Sequence, residues 1–247
     1  MDDVKKWRKT LSNDQEISVV AIDGPGGVGK GTISALLADR LSWHYLNSGA
    51  LYRVLALAAK RHGVEPTNEE ALEVLAAHLD VQFTADQPDH DSRVIFEGDD
   101  VTDIIFTEKH GAEASKVSGY QKVRTALLDR QKAFVQAPGL VAEGRDMGTV
   151  VFPDSPLKLF LVATAKERGK RRFKQLKEKG ISVRLADLID EISARDKRDS
   201  ERSVAPLKPA EDAIIIDTTG LSIEEVMMRV MTEVERCLGI KTQHENS

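Results

Sequence analysis

From residue 17 the chain runs Ile-Ser-Val-Val-Ala-Ile, and then the period of its apolar positions changes. Ile33, Leu36, Leu37 and Leu41 recur at steps of one to four, on one face of a helix. The first run predicts a buried strand over 17–23 and the second a helix over 30–41. Short apolar runs at 43–46, 140–143, 157–163 and 213–217 read as four more strands of a parallel sheet covered on both faces. Helices are expected over 49–62, capped by Asn47 and Ser48 and closed by Gly63, and over 68–79 and 115–136. A last helix is expected over 222–238, where Ile223, Val226, Val230 and Val234 keep helical step. The stretch 76–115 has another texture. There 81–84 and 94–96 alternate as strands around a polar turn at 85–92, with a second turn at Gly98-Asp99-Asp100. The fold expected is α/β, a doubly wound parallel five-stranded sheet with a small antiparallel insert. Ligands would sit at the carboxyl ends of the strands.

The junction between first strand and first helix carries the first chemistry. It reads Gly24-Pro25-Gly26-Gly27-Val28-Gly29-Lys30-Gly31-Thr32. The glycines let the backbone turn tightly with its N–H groups inward, and the helix start adds free N–H donors and a positive dipole end. Lys30 supplies a charge for the β- and γ-phosphates of a nucleoside triphosphate. The same residues satisfy G-x-G-x-x-G, a dinucleotide fingerprint that expects an acid about 20 residues on. Here the second strand ends in Asn47-Ser48, and a dinucleotide fold leaves Lys30 unexplained. Gly31 stands where such loops usually place a hydroxyl, and Thr32 follows one position late. That shift counts against direct Mg2+ ligation by a side chain of the loop, for which Thr32 is the one candidate.

Composition narrows the remaining classes. With 247 residues, 41% hydrophobic and 30% charged, the chain has the balance of a soluble protein of one or two domains. Its net charge of −5 argues against nucleic acid or membrane as partner. The lone Cys237 excludes an internal disulfide and suits a reducing, cytoplasmic setting. Residues 1–16, charged and without an apolar stretch, are expected to be a flexible extension, and 241–247 a C-terminal tail.

Three arginine-bearing segments follow. Glu143-Gly144-Arg145-Asp146 comes directly after a predicted buried strand, where Arg145 can grip a phosphate bidentately. The run 166–179 holds eight basic residues against Glu167 and Glu178, and Arg168, Arg171 and Arg172 share one helical face. A phosphoryl group in transfer spreads charge over its oxygens, so such a face suits a closing lid. In 195–202, Arg195, Arg198 or Asp199, and Arg202 share a face, and the motif alone fits a solvated helix equally well.

The segments IDGPGGVGKGT (22–32), NSGALYRVLAL (47–57), GLVAEGRDMGTVVFPD (139–154) and RDKRDSERSVAPL (195–207) together resemble the bacterial type of cytidylate kinase, a nucleoside monophosphate kinase family. The resemblance runs from about Ser18 to the last helix. It implies a P-loop core over 17–75, 116–165 and 184–240, a monophosphate-binding insert over 76–115 and a helical lid over 166–183. By position it implies that Ser48, Tyr52 and Arg53 line the acceptor site. Ser115, Arg124 and Asp146 would read cytosine, and Arg195 and Asp199 would hold the sugar. Arg53, Arg145 and Arg202 would take the acceptor phosphate, and Arg168, Arg171 and Arg172 would form the lid. Cytosine's amine donor suits Ser115 and Asp146, and its ring acceptors suit Arg124. Uracil would leave those groups unpaired. Gly26, Asn47 and Glu143 stand where the family often has serine, aspartate and aspartate.

The reaction implied is in-line transfer of the γ-phosphoryl group of ATP, with Mg2+, to CMP or dCMP by a monomer, since the fold needs no partner to complete a site. The catalytic set would be Lys30, Arg145, Arg168, Arg171 and Arg172. Other readings stay open. Asp217-Thr218-Thr219-Gly220 mimics one element of a GTP-binding switch, although no N-K-x-D motif occurs. A shikimate- or gluconate-type kinase would share loop and lid but would not need the insert. A pure binding module would leave the basic lid without a use.

Overall fold

The computed structural model describes residues 17–84, 93–178 and 180–240. The expected turn at 85–92, the flanking segments 1–16 and 241–247, and Lys179 lie outside the described residues.

Strand β1 (Ser18–Asp23) pairs in parallel with β6 (Gly139–Gly144) on one side and β7 (Leu157–Val162) on the other. Strand β2 (His44–Asn47) and strand β8 (Ile214–Asp217) complete a parallel sheet of order β2-β6-β1-β7-β8. All six residues of β6 are buried, as a central strand with helices on both faces requires. The register sets Asp23 opposite Gly144, so the phosphate loop and the Arg145 segment leave the sheet side by side. One face is covered by α1 (Lys30–Leu41) and α9 (Ile223–Leu238), whose Val226, Val230 and Val234 enter the core with Ile33 and Leu37. A capping box between Ser222 and Glu225 starts α9, and Gly239 (φ 67°) stops it.

The other face carries α2 (Ser48–Arg61), α3 (Glu69–Ala77), α5 (Glu108–Val117) and α6 (Gln121–Lys132). Asn47 caps α2 by accepting from the Ala50 N–H at 3.0 Å. The insert's antiparallel sheet is β3 (Val81–Thr84), β4 (Arg93–Phe96) and β5 (Asp99–Asp100), followed by the single turn α4 (Thr102–Ile105). Two expectations need correction here. The second turn is Glu97-Gly98, with φ of 52° and 83°, and Asp99-Asp100 pair with β4 instead of turning. The helix expected over 115–136 is two helices, because Ser118-Gly119-Tyr120 breaks it. Helix α5 therefore starts inside the expected insert and runs past its limit at 115, so a boundary there would cut a continuous helix.

After β6 the chain makes one π-helical turn, Met147–Val151, for which the apolar pattern carries no signal. Two charged helices, α7 (Ala165–Glu178) and α8 (Leu185–Glu201), pack together at the mouth of the sheet. They touch closely at Gly169, where an added Cβ would lie 2.6 Å from the Ile189 Cγ1.

Candidate functional site

The phosphate loop is shaped by backbone that side chains would disturb. Gly24 has φ 146°, and a Cβ there would stand 2.2 Å from the Leu161 carbonyl oxygen of β7. Gly27 and Gly29 have φ of 79° and 95°, and no side chain caps the start of α1. The first N–H groups of that helix are thus left for a ligand. Lys30 is buried, and its Nζ donates to the Pro25 carbonyl at 2.8 Å, folding back across the loop. Burial, joined by Arg145 and Arg195 and opposed by Glu143, lowers its pKa from 10.5 to about 7. A bound polyphosphate would restore its charge.

The carboxyl ends of β6 and β2 open onto a pocket walled by α2, α5, α6 and α8. Ser48, Tyr52, Ser115, Arg124, Arg145, Asp146, Arg195, Asp199 and Arg202 all line it. At its floor Arg124 and Asp146, both buried, form an ion pair through Nη2, while Arg124 Nη1 donates to the Ser118 carbonyl at 3.1 Å. The Arg124 guanidinium lies 5.7 Å over the Tyr52 ring. Burial pushes the Tyr52 hydroxyl up to about 12, so it stays a neutral donor. On the far wall Asp199 accepts from Ser115 Oγ at 2.6 Å and from Arg145 Nε at 3.0 Å, and Arg195 Nε stands 3.9 Å away. Burial raises this carboxyl, but Arg145, Ser115 and Arg195 outweigh it and hold the pKa below the ordinary value. Arg202 donates to Ala205 O and Ser118 Oγ, and its Nη2 is buried without a hydrogen-bond partner. Of the open pair on this helix, Asp199 faces the pocket and Arg198 faces solvent.

A wider groove of about 670 Å³ joins the pocket to the phosphate loop. Its lining includes Lys30, Thr32, Arg53, Arg145, Arg168, Arg171, Arg172 and Arg195, so the expected donor and acceptor groups meet there. A Cβ on Gly111 of α5 would lie 2.7 Å from Arg53 Nη2 and 2.9 Å from Arg195 Nη1. One on Gly26 would lie 3.4 Å from Arg145 Nη2 and 3.5 Å from Arg195 Nη1. Three arginines thus converge between the insert and the loop. Arg53 lines the groove and Arg202 the pocket, while Arg145 lines both.

Arg168, Arg171 and Arg172, expected to form a lid, rest on protein carbonyls, carboxylates and a hydroxyl. Arg168 is held by both Asp196 oxygens and by the Gly26 carbonyl at 2.9 Å. Arg171 reaches Val28 O at 3.3 Å and Thr218 Oγ1 at 3.2 Å. Arg172 reaches Phe106 O at 3.4 Å, across to the insert. Within the Asp217–Gly220 element Thr218, buried, ties Arg171 to the loop carbonyl of Val28.

Sequence reasoning did not single out Asp23, Tyr45, Ser118, Gln131, Asp196 or Thr218 as site residues. Ser48 Oγ donates to Gln131 Oε1 and the Tyr45 hydroxyl to Glu143 Oε1, each at 2.7 Å. The carboxylate of Asp196 within the 195–202 run was the one available signal for Arg168's partner. Thr32 and Glu143 face the groove as oxygen-bearing side chains beside the loop. Among the described residues, no group of three or more His, Cys, Asp or Glu side chains could cage a metal, and no helix is long and apolar enough to cross a membrane.

The family model described as cytidylate kinase matches residues 20–236. A cytidylate kinase of Stutzerimonas stutzeri (strain A1501) is 62% identical over 218 residues, covering 88% of this chain and 95% of that protein. One from Pseudomonas aeruginosa (strain LESB58) is 60% identical over 220 residues, covering 89% and 96%, and one from Azotobacter vinelandii (strain DJ / ATCC BAA-1303) is 61% identical over 216, covering 87% and 94%. With a family model over most of the chain and near-full-length relatives of this identity, the chain belongs to the cytidylate kinase family.

Proposed function

We propose that the chain transfers the γ-phosphoryl group of ATP to CMP or dCMP, giving ADP and CDP or dCDP. The observation that carries this reading is the buried Arg124–Asp146 pair at the floor of a pocket whose rim arginines reach the phosphate loop. Asp146 accepts from the cytosine amine, Arg124 donates to its ring acceptors, and Ser115 supports the same edge. Asp199 and Arg195 hold the sugar hydroxyls. Each of these groups is internally paired in a pocket of only about 50 Å³, so the acceptor binds by exchanging those partners for its own.

Arg53, Arg145 and Arg202 take the acceptor phosphate, and the buried Arg202 Nη2 is a donor ready for it. Gly24 to Thr32 enclose the donor phosphates, with Lys30 on the β- and γ-phosphates. An acceptor oxygen that is already anionic needs no general base. Catalysis then rests on alignment and on charge stabilisation by Lys30, Arg145, Arg168, Arg171 and Arg172. The lid arginines exchange Asp196, Thr218 and Phe106 oxygens for phosphoryl oxygens, and closure excludes the water that would hydrolyse ATP.

Mg2+ is the implied metal. Thr32 and Glu143, oxygen-bearing side chains lining the groove beside the loop, are the residues that would hold it. Held there, it would supply charge neutralisation to the donor phosphates. The protein is proposed to work as a monomer in the cytoplasm on small nucleotides.

The test is ADP release with ATP and magnesium, offering CMP, dCMP, UMP, AMP, GMP, shikimate and gluconate separately. Turnover with CMP and dCMP well above UMP is expected. Turnover confined to another acceptor overturns the cytosine reading and keeps the kinase.

A further inference from the structure

Asp23 ends β1 one residue before the phosphate loop, and its side chain turns to the backbone that follows β6. It is buried, with 4% of its surface exposed. Its two oxygens accept the backbone N–H groups of Met147 and Gly148, each at 2.8 Å. Those are the first two residues of the π-helical turn, directly after Arg145 and Asp146. The Asp146 carbonyl in turn accepts from the Val150 and Val151 N–H groups, closing the turn on itself. A buried carboxylate is costly, and two aligned N–H donors are what make this one tolerable. An apolar residue would suit the end of a central strand better, so stability alone gives no reason for the charge.

We infer that Asp23 is a positioning residue that clamps the Met147–Gly148 backbone and thereby sets the cytosine-reading Asp146 and the phosphate-gripping Arg145 in register with the phosphate loop. The residue itself touches neither nucleotide. The register of β1 against β6, with Asp23 opposite Gly144, puts the clamp across the two strands that carry the donor and acceptor sites. Its effect should fall on the acceptor side, because Lys30 is held by its own hydrogen bond to the Pro25 carbonyl, and Asp23 acts on the Lys30 charge less than burial, Arg145, Glu143 and Arg195 do. This inference rests on the CMP-reading role proposed for Arg124 and Asp146.

Asp23→Asn keeps the shape but turns one acceptor into a donor facing an N–H. Asp23→Thr keeps one acceptor on a β-branched residue suited to a buried strand, and serves if the first variant does not fold. Steady-state kinetics of the full chain are read with CMP, UMP and ATP varied in turn. The expected result is a rise of about tenfold or more in KM for CMP and a fall of similar size in the CMP-over-UMP ratio, with KM for ATP changed less than about threefold. A folded variant with unchanged CMP kinetics overturns the inference. So does an equal rise in both KM values, which would place the clamp's effect on the phosphate loop. If the unmodified chain shows no preference for CMP, it is the proposed function that fails.

Discussion

Removing the cation from the buried Arg124–Asp146 pair separates what the pair does for the fold from what it does for the acceptor. In Arg124→Met, Asp146 would stay at 2% exposure with its carboxylate facing an apolar stem. Breaking a buried pair from one side costs about 3–5 kcal/mol, because the surviving charge is left without compensation. For a chain of this length each kcal/mol shifts Tm by about 2–4 °C, so a fall of roughly 6–20 °C is expected. The lost bond from Nη1 to the Ser118 carbonyl adds to this. On the acceptor side, a charged donor to cytosine is removed, worth about 1.5–3 kcal/mol, so CMP-over-UMP discrimination should drop by about 10- to 150-fold. Pairing Arg124→Met with Asp146→Leu should recover most of the stability and none of the discrimination. Denaturant unfolding and kcat/KM for CMP and UMP on the single and double variants read both quantities. A single variant within about 1 kcal/mol of the parent, or a double variant that regains selectivity, would refute the reasoning.

Lys30→Met should lower kcat by about 100-fold or more by removing a fixed charge from the donor phosphates. Its effect on folding follows from the depressed pKa: because the folded chain holds fewer protons on Lys30 than the unfolded one, its contribution to stability rises with pH from about 7 toward 10.5. Unfolding measured across that window should lose this rise in the variant, and a slope that stays the same would contradict the burial of the amine. Gly111→Leu should raise KM for CMP by about tenfold or more by displacing the Arg53 and Arg195 guanidinium groups, with circular dichroism unchanged. Unaltered CMP kinetics in that variant would mean that the two arginines do not hold the acceptor.

Where the sequence was easy to read, local pattern and tertiary role coincide. The strand–glycine loop–helix at 17–41 was legible because the loop's backbone demands glycine at Gly24, Gly27 and Gly29. The five parallel strands were legible as short apolar runs, since both faces are buried. The break at Ser118-Gly119-Tyr120 was hidden by helix-compatible neighbours on both sides. It is set by tertiary contacts, with the Ser118 carbonyl turned toward Arg124 and its hydroxyl toward Arg202. The π-helical turn and its Asp23 clamp were equally hidden, because an acid at a strand end reads as an ordinary strand terminus. The partners of Arg168 and Arg171, Asp196 and Thr218, lie 28 and 47 residues from them, beyond the reach of any periodicity. Arg53, Arg145 and Arg195 stand in separate sequence motifs, and the structure brings them together.

The central claim is that one phosphoryl group passes directly from ATP to a cytidine monophosphate. Following the phosphorus resonances of ATP and CMP together, with magnesium and the full chain, tests it most directly. CDP should form one for one with ADP, with no inorganic phosphate above the rate seen without CMP. ADP formed with inorganic phosphate in place of CDP would contradict the account.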